Sequence, residues 1–287
     1  MAEVADLVDA HHHLWDLARC DLPFLNVPVN EPIRRTFGPQ EMGDVMRRHG
    51  VEQTVVVQAA PDPTETWELL DVAAGSPLIG GVVGWIDLDA PDPQAELDAL
   101  LDHPARDRLV GIRAMAQDHP DPDWLASEGP ARAAAAIGAA GRVCELLITP
   151  REMTAAQSLV ERAPNTRFVI DHAAKPPIAT GRLEGWAEGI RRLAGLPHTA
   201  CKVSGLISEA DWRRWTVDDV APFMDTVAGA FGEDRLLFGS DWPVCLLAGS
   251  YCEVLTVARE TLAGLPAEKV FAGNARRIYA LAHPPGA

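Results

Sequence analysis

Three histidines stand in a row in Asp9–Asp16, DAHHHLWD, directly after the largely apolar LVDA. Side chains on an extended strand alternate faces, so His11 and His13 point one way and His12 the other. An HxH pair of this kind can bring two imidazoles to one metal, whereas three adjacent histidines in a surface turn would do nothing of the sort. The eight residues alone leave both readings open. Catalytic zinc usually takes three protein ligands and keeps one open position. The candidates for a third are His172, directly after FVID, and Asp241, directly after LLFGS. Gly239 weakens the strand before Asp241, and Trp242 and Pro243 end it abruptly, so that carboxylate reads as a residue put on display.

Other charged residues sit inside apolar runs. Arg113 in VGIRAM and Lys202 in ACKVSG read either as ion-pair partners or as side chains entering a cavity, where an arginine fork suits a carboxylate or vicinal hydroxyls. With Trp15 and Gln58 they make up the expected substrate-binding group, although core packing is an equal alternative for Trp15. Glu145 in RVCELLIT is open between metal ligand, hydroxyl acceptor and ion-pair partner, and joins His11, His13 and Asp241 as a candidate ligand.

The elements that must position these residues recur along the whole chain. Eight β-rich runs (4–11, 53–59, 78–87, 108–114, 142–149, 167–172, 199–205 and 235–241) alternate with amphipathic or alanine-rich stretches, among them 39–50, 128–141, 151–163, 217–231 and 250–264. Eight β-then-α units in 287 residues, with no GxGxxG after the first, predict a single-domain α/β fold, a closed (β/α)8 TIM barrel over 1–287 with a flexible tail at 282–287. Such barrels carry their chemistry at the C-terminal ends of the strands. Those ends bear His11 and His13, Gln58, Asp87, Arg113, Glu145, Asp171 and His172, Lys202 and Ser204, and Ser240 and Asp241.

Composition narrows the class further. A net charge of −16 and the lack of any basic run argue against nucleic-acid binding. Five cysteines without CxxC spacing read as reduced thiols. The acidic start and the absence of a long apolar stretch predict neither a signal peptide nor a membrane span, so the expectation is a cytoplasmic protein, free to oligomerise.

The segments DAHHHLWD, TVVVQA with PDPTET, GIRAM, FVIDHAAKP, CKVSGL, FGSDWPVCLL and AGNARRIYAL, taken in order, resemble the amidohydrolase superfamily. Within it the resemblance is to the amidohydrolase-2 branch that holds sugar lactonases of the L-fuconolactonase and L-rhamnonolactonase kinds and 2-pyrone-4,6-dicarboxylate lactonase. It implies a TIM barrel whose reaction centre is His11, His13 and Asp241 with His172 beside them, Asp241 acting as the base for water and the three histidines as further catalytic groups. It implies lactone hydrolysis with one divalent metal, zinc or manganese, or with none. Two departures count against a two-metal site: no lysine suited to carbamylation stands near Glu145, and Lys202 and Ser204 occupy the strand end where many members have another histidine. The single interior arginine favours a neutral aldonolactone over a pyrone dicarboxylate. A metal-dependent decarboxylase is the alternative from another reaction class, and a non-catalytic sugar-acid sensor the alternative outside enzymes.

Overall fold

The computed structural model describes residues 6–282. Eight parallel strands form one sheet in sequential order: β1 (Leu7–His12), β2 (Val51–Val57), β3 (Ile79–Gly84), β4 (Leu109–Met115), β5 (Val143–Leu147), β6 (Arg167–Ile170), β7 (Thr199–Val203) and β8 (Leu236–Phe238). Helices α1 (Pro39–His49), α2 (Pro63–Ala74), α3 (Pro93–Leu101), α4 (Glu128–Ala139), α5 (Met153–Arg162), α6 (Trp186–Ala194), α7 (Val217–Phe231) and α8 (Tyr251–Thr261) follow the strands in turn, and α9 (Asn274–Tyr279) closes the chain. This is the (β/α)8 barrel that the alternating runs predict. The first two residues of the first predicted strand, and residues 283–287 of the predicted tail, lie outside the described residues.

Several helix starts follow from local sequence. Proline stands at the first helical position of α1, α2 and α3, where its missing N–H is not needed. Asp62 and Asp92 cap α2 and α3, and Ser250 with Glu253 forms a capping box on α8. Six strands (β2, β3 and β5 to β8) end two or three residues earlier than the sequence suggests: β3 stops at Gly84, which leaves Asp87 in the following loop, and β8 stops at Phe238.

Period-two alternation builds the barrel interior in layers. Val143, Val169, Ala200 and Leu237 pack with Val8, Val55, Val57 and Val83 in an inner apolar cluster, which Ile278, Tyr279 and Leu281 plug from the N-terminal end of the strands. Two residues further along their strands come Glu145, Asp171, Lys202 and Gly239 on the same face. Odd and even positions of β5 to β8 therefore do different work. Cys144, Ile170, Cys201 and Phe238 face the helices in the larger outer core.

Candidate active site

The barrel closes between β8 and β1 through a short seam. One bridge pairs His12 with Trp242, Asp241 N–H donates to His11 O at 2.8 Å, and His13 N–H donates to Trp242 O at 2.7 Å. The fully buried Asp9 carboxylate ties the same two strands, its Oδ1 accepting from His11 N at 3.1 Å and Ser240 N at 2.9 Å, its Oδ2 from the Tyr251 hydroxyl at 3.1 Å. The seam thus fixes the backbones of His11, His13 and Asp241 against one another. Burial pushes the Asp9 carboxyl up to about 6 against these bonds.

The imidazoles of His11 and His13 converge, as the alternation predicts, with their Nε2 atoms 3.2 Å apart. Asp241 Oδ1 lies 3.4 Å from His13 Nε2, 3.8 Å from His11 Nε2 and 4.0 Å from His172 Nε2. Donors of a tetrahedral zinc with bonds near 2.0–2.1 Å stand about 3.3 Å from one another. The His11, His13 and Asp241 atoms meet that spacing to within about half an ångström, so this donor set fits one divalent cation. His172 stands beside it, and His11, His172 and Asp241 form a second possible trio. Further bonds orient the rings: His13 Nδ1 donates to Val57 O at 2.8 Å, and His172 Nδ1 lies 2.9 Å from Ser204 Oγ. His12 points to the opposite face, fully buried, and burial lowers it to about 3.

Backbone strain collects at this point. His172, Ala173, Ala174 and Lys175 are all left-handed, with φ between 49° and 55°, and Asp241 has φ 57°. Each such residue costs roughly 1–2 kcal/mol and persists only where its surroundings over-determine it. Trp186 Nε1 donates to Ala173 O at 2.8 Å and holds the first segment. Two glycines make room: a Cβ on Gly239 would stand 2.6 Å from His11 Cβ, and one on Gly205, itself at φ 64°, would stand 2.6 Å from His172 Nδ1. Gly239 is therefore needed for the close approach of β8 to His11 as well as for the strand ending.

Beneath the histidines lies a layer of buried charge. The fully buried Lys202 Nζ is 2.7 Å from Glu145 Oε2, 3.2 Å from Asp171 Oδ1 and 3.0 Å from His11 Nδ1. Tyr279 of α9 donates to Glu145 from below, and Arg113 Nη1 reaches Asp171 Oδ2 at 3.4 Å. His11, Glu145 and Asp171 have the spacing of a metal trio, but the Lys202 ammonium sits among all three. Of the readings the sequence leaves open for these two residues, the structure shows ion pairing: Glu145 is the partner of Lys202 and Tyr279, and Lys202 is fully buried. Burial pushes Glu145 up to about 7 against the pull of Lys202. Burial would also raise Asp171, yet Lys202 and His11 hold it well below the usual carboxylate range.

His11 Nδ1 lies between two partners of opposite sense. Donation to Asp171 Oδ1 at 3.4 Å leaves Nε2 with its lone pair free for a cation. Acceptance from Lys202 at 3.0 Å puts the proton on Nε2 and makes it a donor. Burial lowers His11 far below the ordinary histidine value and His172 to about 4, so both are neutral near pH 7. Burial pushes Asp241 upward, but His172 and the His13 hydrogen bond outweigh it, and the carboxylate stays ionised.

The cluster opens into a 320 Å³ cavity bounded by His13, Arg113, His172 and Asp241 on the floor and by Phe24, Asn30, Lys175, Glu209, Trp212 and Leu247 toward the mouth. Arg113 reaches the wall as expected. Trp15 does not: it packs between Phe24 and Phe37, and its Nε1 donates to Arg35 O at 2.7 Å. The Gln58 side chain is fully buried off the cavity, and its carbonyl serves instead, accepting from Arg113. Sequence reasoning sees Asp171 at a strand end but gives it no role, and passes over Tyr279, Lys175 and Glu209. Asp171 carries a usable signal, an acid joined to His172 after an apolar strand. Tyr279 carries none, since its partner is 134 residues away.

The comparisons with known proteins agree with this geometry. The amidohydrolase family pattern matches residues 8–281. The chain is 39% identical over 293 residues to an L-fucono-1,5-lactonase of Burkholderia ambifaria, covering 97% of both. It is 34% identical over 291 residues to an L-fucono-1,5-lactonase of Burkholderia multivorans, covering 96% of this chain and 97% of that one. A crystal structure of an amidohydrolase from Burkholderia multivorans with bound zinc superposes with a TM-score of 0.89 at 35% identity, covering 97% of this chain and 100% of that one. Barrel, reaction centre and relatives lead to one conclusion: the chain belongs to the amidohydrolase family.

Proposed function

We propose that the protein hydrolyses the ring ester of a neutral sugar-derived aldonolactone of the L-fucono, L-rhamnono or galactono kind. The observation that carries this reading is an ionised Asp241 among three imidazoles on the floor of a closed-ended cavity. The L-fucono-1,5-lactonase relatives supply the substrate class. Charge balance on the walls supports a neutral substrate, since Arg113 is paired with Asp171 and Lys175 with Glu209 at 3.6 Å. A dicarboxylate would need cations free of such partners.

In this mechanism Asp241 takes a proton from the attacking water as the C–O bond forms, and returns it to the ring oxygen as the ester C–O bond breaks. His172, neutral and with Ser204 on Nδ1, directs Nε2–H toward the developing oxyanion. One divalent metal held by His11, His13 and Asp241, zinc or manganese, would supply Lewis-acid polarisation of the carbonyl and a more acidic water. Without it, His11 Nε2–H in the Lys202-bonded tautomer is the second donor. The same reading places the protein in carbohydrate breakdown in the cytoplasm, with a small-molecule partner and no nucleic acid or membrane. The net charge supports the exclusion of nucleic acid; the five cysteines are free thiols, and no helix among the described residues is long and apolar enough to cross a membrane.

A pH-indicator assay on L- and D-aldonolactones and a pyrone dicarboxylate tests it, with enzyme as purified, chelated, and resupplied with zinc or manganese. Acid release from a sugar lactone that chelation abolishes and metal restores is the expected result. Release that resists chelation keeps the lactonase and assigns His11 and His13 as donors. Turnover of the pyrone alone, or of nothing, overturns the proposal.

A further inference from the structure

A second cavity, at 420 Å³ larger than the first, adjoins the reaction cavity, and Phe24, Ala59, Met115 and Asp118 line both. These four residues stand between the two cavities. Two of them can yield, since Met115 is unbranched and Phe24 sits on an exposed short helix. Beyond them stand Trp85 and Trp124, neither fully buried. Trp124 is held in place, its Nε1 donating to Asp89 Oδ2 at 2.7 Å and its ring stacked on His119 at 4.6 Å and 19°. Asp87, Asp89 and Asp118 are interspersed with these rings.

Aromatic faces interleaved with carboxylates select an occupant with C–H faces and hydroxyl donors. A purely apolar or aryl group would cover the rings but strip water from three carboxylates without replacing its hydrogen bonds. An acidic sugar would meet three like charges. We infer that the second cavity is a subsite for a neutral glycosyl unit, so that the preferred substrate is the lactone of a disaccharide aldonic acid, with the lactone ring over Asp241 and the second sugar on Trp85 and Trp124. The inference rests on the lactonase reading for its reaction and on the second cavity for its binding.

The experiment compares kcat/KM for an aldonolactone with that for the same lactone carrying a β-linked hexosyl group, in wild type, Trp85→Ala and Trp124→Ala. The glycosylated lactone is expected to gain at least tenfold, chiefly through KM, and each substitution to remove that gain while leaving the parent lactone within twofold. Equal or poorer use of the glycosylated lactone, or the same gain from an aryl-substituted lactone, overturns the subsite and leaves the lactonase standing. If no lactone is opened, the lactonase reading fails, and calorimetric titration with the disaccharide aldonate against the plain aldonate decides the subsite separately. Tenfold tighter binding lost in Trp124→Ala supports it, and equal binding refutes it.

Discussion

The β8–β1 seam and the β4–β6 wall solve opposite problems with the same kind of strand. Residues 111–115 pair with 143–147, and 143–146 with 167–170, in uninterrupted register, and into this regular wall the chain sets Arg113 and Glu145, with Asp171 directly beyond. The seam has a single bridge, a left-handed Asp241 and a buried acid in place of a ladder. A regular ladder presents side chains two residues apart and cannot bring three of them to one point. The seam, with Asp241 in a left-handed turn beside His11, brings two strands' groups within hydrogen-bond reach. The wall holds charge and the seam aims it.

The largest expected effect comes from removing the seam's product. Asp241→Asn should lower lactone turnover by about 10³-fold, within the range usual for a lost general base, with the far-ultraviolet circular dichroism unchanged. Turnover within tenfold of wild type would take the base away from Asp241. The wall should answer in stability instead. Lys202→Met leaves Glu145 and Asp171 buried without their cation and should cost about 3–5 kcal/mol in urea unfolding, while adding Glu145→Leu recovers part of the loss. A double variant no more stable than Lys202→Met would show that the ion pair is not what the wall depends on.

Gly205→Ala sharpens the contrast at one atom. A methyl group 2.6 Å from His172 Nδ1, on a residue at φ 64°, should cost about 1–2 kcal/mol of stability and lower kcat more than tenfold by turning His172. Unchanged kcat would remove His172 from the reaction.

Two smaller effects depend on pH. Asp9 is raised in the folded state to about 6, above the usual value of 3.8, so the folded state holds its proton longer. This group's contribution to stability therefore falls as pH rises from about 4 to about 6. The stability difference between wild type and Asp9→Asn should shift against wild type across that window, and a constant difference would contradict the burial account. Activity should be flat from pH 6 to 8 and fall at about 4, where His172 takes a proton, while Asp241, held below the usual carboxylate range by His172 and His13, stays ionised. A midpoint near the usual histidine value would mean that His172 is not desolvated as described.

Much was determined by the sequence alone. Eight alternating β and α runs dictate the barrel, because each strand's apolar period and each helix's stripe must be buried against the other. Period two dictates that His11 and His13 share a face while His12 does not. The chain ends of β6 and β8 present His172 and Asp241 because the apolar runs stop there. Tertiary structure decided the rest. Only the fold shows that Lys202 fills the place between His11, Glu145 and Asp171, since strands β1, β5, β6 and β7 meet there and no local pattern records it. Only the fold withdraws Trp15 and Gln58 from the cavity, because burial depends on what packs from distant segments such as Phe24 and Arg113. Period and strand ending are local properties of the backbone, whereas the partner of a buried charge is set by which strands the barrel brings side by side.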